Sequence, residues 1–134
     1  MQYMLDTNIC IYIAKKKPAE VFHHFEKLKI GQVVMSSITY GELLYGAFKS
    51  LHPKKTKAVL DEIAKLIPPI IIPTEAAGYY GQICHMLEKS GTPIGGNDLW
   101  IAAHALASNL VLVTNNVKEF SRIPHLHVEN WVKG

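Results

Sequence analysis

Tyr3-Met4-Leu5-Asp6-Thr7-Asn8-Ile9-Cys10-Ile11-Tyr12 is the stretch on which the fold turns. Three apolar residues, too few for a helix, end abruptly on Asp6-Thr7-Asn8, and an apolar helical pattern then runs over Ile9–Ala14. That is a strand handing over to a helix with an acid at the junction. Near the other end, Leu110-Val111-Leu112-Val113 carries the strongest strand signal in the chain and ends on Thr114-Asn115-Asn116. Between them the same alternation recurs. Pro18 can open a second helix through about Leu28, because proline is tolerated in a first helical turn, and Gly31 ends that unit. Val33-Val34-Met35 reads as a strand and is followed by a helix from about Thr39 to Lys49. Pro53 opens a helix to about Leu66, with Val59, Leu60, Ile63 and Leu66–Ile67 at helical spacing. Ile70-Ile71-Ile72 reads as a strand, Pro73-Thr74-Glu75 as the start of a helix to about Lys89, and 92–97 as a loop. An alanine-rich helix covers Asp98–Ala107, and a last short strand covers His127–Glu129. Short strands alternating with helices predict an α/β domain over 1–134, with a short, mostly parallel central sheet flanked by helices.

Composition narrows the class. The 134 residues are 49% hydrophobic, enough for one core without disulfides or a structural metal. Cys10 and Cys84 stand alone, with no CxxC pair, which points to two buried free thiols in a reducing compartment. The opening segment has no basic region before an apolar run, and no apolar stretch approaches the roughly 18 residues that span a bilayer. A cytoplasmic protein with no membrane partner is expected. The net charge of +3 is compatible with a polyanion, and lysines cluster at Lys15–Lys17, Lys27/Lys29 and Lys54/Lys55/Lys57. Each cluster could equally be a solvated surface.

In a parallel sheet, ligands bind outside the carboxyl ends of the strands. Asp6, Glu42, Asp98 and Asn115-Asn116 all fall at or just after such ends. Each also has a local explanation. Asp6 or Asn8 can cap the first helix, Thr39-Tyr40-Gly41-Glu42 matches a capping box, and Asn97 or Asp98 can cap the alanine-rich helix. If the acids converge on one rim, the repulsion between them calls for shared protons or a cation. Two unit charges 4 Å apart cost about 4 kcal/mol at an effective dielectric of 20. Oxygen-only ligands favour Mg²⁺ or Mn²⁺ over zinc. The seven histidines lack zinc spacing, and Asn8 stands where a haloacid-dehalogenase-type phosphatase would want a second aspartate.

Four segments resemble one family. Met4–Tyr12 is similar to the opening motif of PIN-domain nucleases, specifically the VapC toxins of bacterial toxin–antitoxin pairs. Ser36–Gly46 resembles their second motif, with Glu42 as its acid and a trailing Tyr-Gly. Asn97–Ala105 resembles the third, with Asp98, and Val113–Phe120 resembles the fourth. Many PIN domains carry an aspartate in that fourth motif, where this chain has Asn115-Asn116; Glu119, about one helical turn on, can supply the missing carboxylate or be a plain surface acid.

The resemblance implies an endoribonuclease in which Asp6, Glu42 and Asp98 hold one or two Mg²⁺ or Mn²⁺ ions. Asp98 or Glu42 would accept the proton of the attacking water, and Asn116 would orient it. Thr7 and Thr114 could bond a ligand carboxylate or a substrate phosphate, or equally be local turn or cap residues, with Asn8, Lys15 and Lys16 as further substrate contacts. The implied substrate is tRNA, initiator tRNA cut in its anticodon region. The implied partners are a VapB-type antitoxin in a hetero-oligomer and a second copy in a homodimer, with operator DNA reached only through the antitoxin. The helices near Val21–Leu28 and Val59–Leu66 are candidate docking surfaces, unless their apolar residues simply pack the core. The alternative is a degenerate PIN module that binds RNA or a protein without cutting.

Overall fold

In the computed structural model, which describes residues 2–133, strands and helices alternate as the periodicity requires. They run β1 (Tyr3–Leu5), α1 (Thr7–Lys15), α2 (Ala19–Glu26), β2 (Val33–Ser36), α3 (Ser37–Phe48), α4 (Pro53–Leu66), β3 (Pro69–Ile70), α5 (Ala76–Lys89), α6 (Gly96–Ala107), β4 (Val111–Val113), α7 (Val117–Phe120) and β5 (Val128–Glu129). The five strands form one sheet in the order β3-β2-β1-β4-β5, and every pairing is parallel.

Side chains on a strand alternate between faces, and here both faces are covered. Leu5, Val33, Met35 and Val113 point into one core with α1 to α4, while Met4, Val34 and Leu112 point into the other with α5 and α6. That is why these strands read as unbroken apolar runs. The chain goes outward from β1 to β2 and β3, then returns to the other side of β1 for β4 and β5. The reversal puts a crevice at the carboxyl ends of β1 and β4, where parallel sheets bind ligands.

Several local expectations shift. The third strand is only Pro69–Ile70, paired with Met35 and Ser36 at the edge of the sheet, and Ile71, just past its end, is 88% exposed. The capping box does not form. Ser36 caps α3, its Oγ accepting from the Ile38 N–H at 3.2 Å, so Thr39 is buried inside the helix and Glu42 is free for another role. Gly95, with extended backbone, precedes α6, so neither Asn97 nor Asp98 is its cap. Helix α7 is an addition that the short, polar sequence did not signal. Cys10 is buried, but Cys84 is only half-buried, with Sγ 3.6 Å from Glu88 Oε2.

His104 is fully buried on α6, with Nδ1 2.9 Å from Ser36 Oγ. Burial lowers its pKa and keeps it neutral, so it works as a strut between α6 and the start of α3. No helix among the described residues is long and apolar enough to cross a membrane.

Candidate active site

Asp6 is the first residue after β1, and its backbone N–H bonds the Val113 carbonyl on β4 at 3.0 Å. Its carboxylate has two separate jobs. Oδ1 accepts from the Ile9 N–H at 3.0 Å and so caps α1, while Oδ2 accepts a short hydrogen bond from the Thr114 hydroxyl. Thr114 is fully buried, and its Oγ1 also accepts from the Asn116 N–H at 2.9 Å. It cannot reach a substrate. Thr114 thus does two things at once: it holds the turn to Asn116, and it bonds the Asp6 carboxylate.

Glu42, in the second turn of α3, is oriented by two other elements. Thr7 Oγ1 on α1 donates to its Oε1 at 2.6 Å, and Asn97 Nδ2 on α6 lies 3.4 Å from its Oε2. Asp98, in the first turn of α6, shares a hydrogen bond with Glu119 on α7. Glu119 is tied in place by Asn116 Nδ2 at 2.8 Å and by the Gly95 N–H at 3.4 Å. It is therefore no idle surface acid. Asn116 serves as its clamp.

Asp6, Thr7, Asn8, Glu42, Asp98, Asn116 and Phe120 together line one cleft of about 150 Å³ at the crevice between β1 and β4. The electrostatics confirm a crowd of negative charge. Burial raises the pKa of Asp6 against the hydrogen bonds of Thr114 and Ile9, and Glu42 adds to the rise. Asp98 is pushed up to about 6, first by burial, then by Glu119, Glu42 and Asp6. Among the described residues, the ion pairs are His24–Glu129, Lys57–Asp61 and Lys65–Glu62, none of which touches these acids.

A hard cation suits this donor set. No three acids among the described residues stand close enough to grip one ion together. Mg²⁺, however, keeps several of its waters and is usually held by one or two carboxylates. An all-oxygen, uncompensated acidic cleft with a carboxyl already forced to retain its proton near pH 6 fits such an ion.

Not every expected residue is here. Lys15 lines a neighbouring apolar groove between α1, α3 and α4, which meets the cleft only at Glu42. Lys16 ends α1 in left-handed backbone (φ 58°) with its ammonium 5.6 Å from the centre of the Phe22 ring, so its placement gives no support to a substrate contact. The sequence reading passed over Asn97 and Phe120. Both had a signal, Asn97 in its place beside Asp98 and Phe120 as the last residue of the segment that resembles the fourth motif.

Residues 3–126 match the PIN domain family, and the chain is 45% identical to ribonuclease VapC2 of Rickettsia felis over 99% of this chain and all of the relative. The chain belongs to the PIN-domain family, in its VapC branch. It is also 43% identical to the tRNA(fMet)-specific endonuclease VapC of Salmonella typhimurium, over 98% of each chain. Among solved structures, VapBC2 from Rickettsia felis bound to a promoter DNA fragment aligns at a TM-score of 0.91 and 43% identity, covering 98% of this chain and all of that one. VapBC-1 from nontypeable Haemophilus influenzae aligns equally well, at 42% identity. Asp6, Glu42, Asp98 and Glu119 fall one in each of the four segments that resemble the family's motifs, Glu119 lying three residues beyond Asn116.

Proposed function

We propose that this chain is the toxin of a type II toxin–antitoxin pair: a Mg²⁺- or Mn²⁺-dependent endoribonuclease that cuts tRNA in its anticodon region, initiator tRNA being the favoured substrate. The observation that carries the reading is the meeting of Asp6, Glu42, Asp98 and Glu119 at the crevice between β1 and β4 with no lysine, arginine or histidine among the described residues paired to them. When bound, the metal would lower the pKa of its water and neutralise charge on the phosphate under attack. Asp6 and Glu42 would hold it. Thr114 and Thr7 keep those two carboxylates aimed into the cleft.

Asp98 is suited to take the proton of the attacking water. In the metal-free cleft its pKa of about 6 leaves it mostly ionised at neutral pH and still basic. Glu119 sets that poise through its charge and its hydrogen bond, so Asn116 acts on Asp98 at one remove. The intact acid cluster, with Glu119 supplying the fourth charge, gives no support to a module that binds without cutting.

The names of the Salmonella relative and of the VapBC complexes support the tRNA substrate, an antitoxin partner and DNA contact through that antitoxin. Val21, Leu60 and Ile63 are core residues, whereas Leu51 and Val59 are exposed along the groove of about 650 Å³ between α1, α3 and α4. That groove is the seat we assign to an antitoxin segment, and it ends at Glu42, where a basic side chain from the partner would silence the acids.

The test is cleavage of total cellular RNA by purified, antitoxin-free protein with Mg²⁺, Mn²⁺ or EDTA, alongside Asp6→Ala. Cutting of one RNA species that needs the metal and vanishes in Asp6→Ala supports the reading. A well-folded chain that cuts no RNA refutes it.

A further inference from the structure

Helix α3 carries one more feature beside the acids. Ile38, Gly41, Glu42, Tyr45, Gly46 and Lys49 recur at the spacing of a single helix face, and all line a second hollow of about 740 Å³. Thr7 and Glu42 belong to both this hollow and the acidic cleft, so the two are continuous. A ligand lying across the acids runs into it.

Along this face the chemistry changes in order. Glu42 comes first; Tyr45 follows about 4.5 Å further along the helix axis, and Lys49 about 10 Å beyond Glu42. Tyr45 is 66% exposed, and the ammonium of Lys49 sits 4.6 Å from the centre of its ring. As a surface pair this would contribute little to the fold. The floor of the hollow is bare for no internal reason. Gly41 and Gly46 have ordinary helical backbone, and a Cβ on either would meet no atom within 4 Å. Each glycine costs the helix about 1 kcal/mol relative to alanine. Nothing in the chain uses the space they leave.

We propose that Tyr45 is a stacking platform for one unpaired base of the RNA substrate, next to the nucleotide whose phosphate lies over the acids, with Lys49 meeting the adjacent phosphate. This rests on the ribonuclease reading above. Proteins that hold single-stranded RNA combine such aromatic platforms with basic residues, and RNA loops offer the splayed bases that this requires. The hollow is large enough for a nucleotide, its aromatic wall is already faced by a cation, and the bare helix surface lets a base approach the backbone. Tyr45 is a substrate-positioning residue in this scheme, and the acids remain the catalytic ones. A protein segment laid over the same face would exclude the base, which gives a partner a second means of inhibition besides blocking the acids.

The test begins with the wild-type chain, free of any antitoxin, cutting total RNA in Mg²⁺ so that the cut can be mapped. A stem-loop RNA containing that cut then serves as substrate for Tyr45→Ala, Tyr45→Phe and Phe48→Ala. Phe48 is as exposed as Tyr45 (67%) on the same helix but does not line the hollow, so it controls for the loss of a surface aromatic. Tyr45→Ala should fold normally and lose about tenfold or more in kcat/KM, chiefly through KM, as the loss of one stacked base predicts. Tyr45→Phe should stay within about twofold of wild type, and Phe48→Ala should match it. Removing the base at the nucleotide flanking the cut should weaken cleavage by wild type but not further weaken Tyr45→Ala.

Wild-type kcat/KM in Tyr45→Ala overturns the proposal, as does an abasic effect of equal size in both proteins. If Tyr45→Ala cuts normally but escapes inhibition by an antitoxin, the face serves a protein and the proposal fails. A wild-type chain that cuts no RNA at all removes the ribonuclease reading and this inference together, a result distinct from the others.

Discussion

Replacing Asp98 by asparagine should make the fold more stable while it abolishes cleavage. Folded Asp98 holds its proton up to a pH of about 6, whereas the unfolded chain releases it around the ordinary 3.8. Between those values the folded state binds more protons, so stability falls as pH rises through that window and the penalty is complete above about pH 6. The full difference would be about 3 kcal/mol at 1.36 kcal/mol per pH unit, but Asp98 is half-buried and water screens part of the repulsion, leaving about 1–2 kcal/mol. Asparagine carries no charge and still offers a donor to Glu119. The assay is urea unfolding of wild type and Asp98→Asn in EDTA, at pH 7.5 and again at pH 4.5. The variant should be more stable by that margin at pH 7.5; the gap should be clearly smaller at pH 4.5, where about a third to a half of it remains, and it closes only below the unfolded value of 3.8. His104, buried neutral, pulls the other way and destabilises both proteins as pH falls below its ordinary 6.5, so it cancels in the difference. Millimolar Mg²⁺ should raise wild type more than the variant, since a cation relieves the same repulsion. A variant no more stable than wild type at pH 7.5, or one stabilised equally at both pH values, would refute the argument.

Glu119→Gln should remove the second-largest influence on Asp98, so the acidic limb of the kcat/KM profile should move to lower pH. Thr114→Val takes away the hydroxyl that joins Asp6 to the Asn116 N–H; we expect a loss of about 1–3 kcal/mol in urea unfolding and a large fall in kcat. Trp131 is 3% exposed, stacks on His24 with ring centres 4.2 Å apart and donates to Glu129 at 2.9 Å, so Trp131→Ala should cost about 3–5 kcal/mol in the same assay without altering the metal dependence of cutting.

The elements themselves were largely legible in the sequence, because periodicity is a local property. Strand β1, the start of α4 at Pro53 and its end at Leu66 follow from apolar spacing and proline position alone. The four motifs, read together, also marked Asp6, Glu42, Asp98 and the Asn116–Glu119 turn. What local pattern could not decide is which of two plausible jobs each polar residue performs. Thr39 and Glu42 have the spacing of a capping box, yet Ser36 caps the helix and Glu42 turns instead to Thr7, 35 residues away. Asp6 does cap its helix through one oxygen, and the second is claimed by Thr114, 108 residues distant. Glu119 changes from a surface acid to the partner of Asp98 only because α7 folds against the start of α6. These choices depend on the strand order, which brings β1 and β4 side by side and opens the crevice at their ends. Sequence dictates which residues carry charge and which faces are apolar; only the packed sheet brings distant carboxylates close enough to repel one another, and that repulsion is what makes the cluster a site.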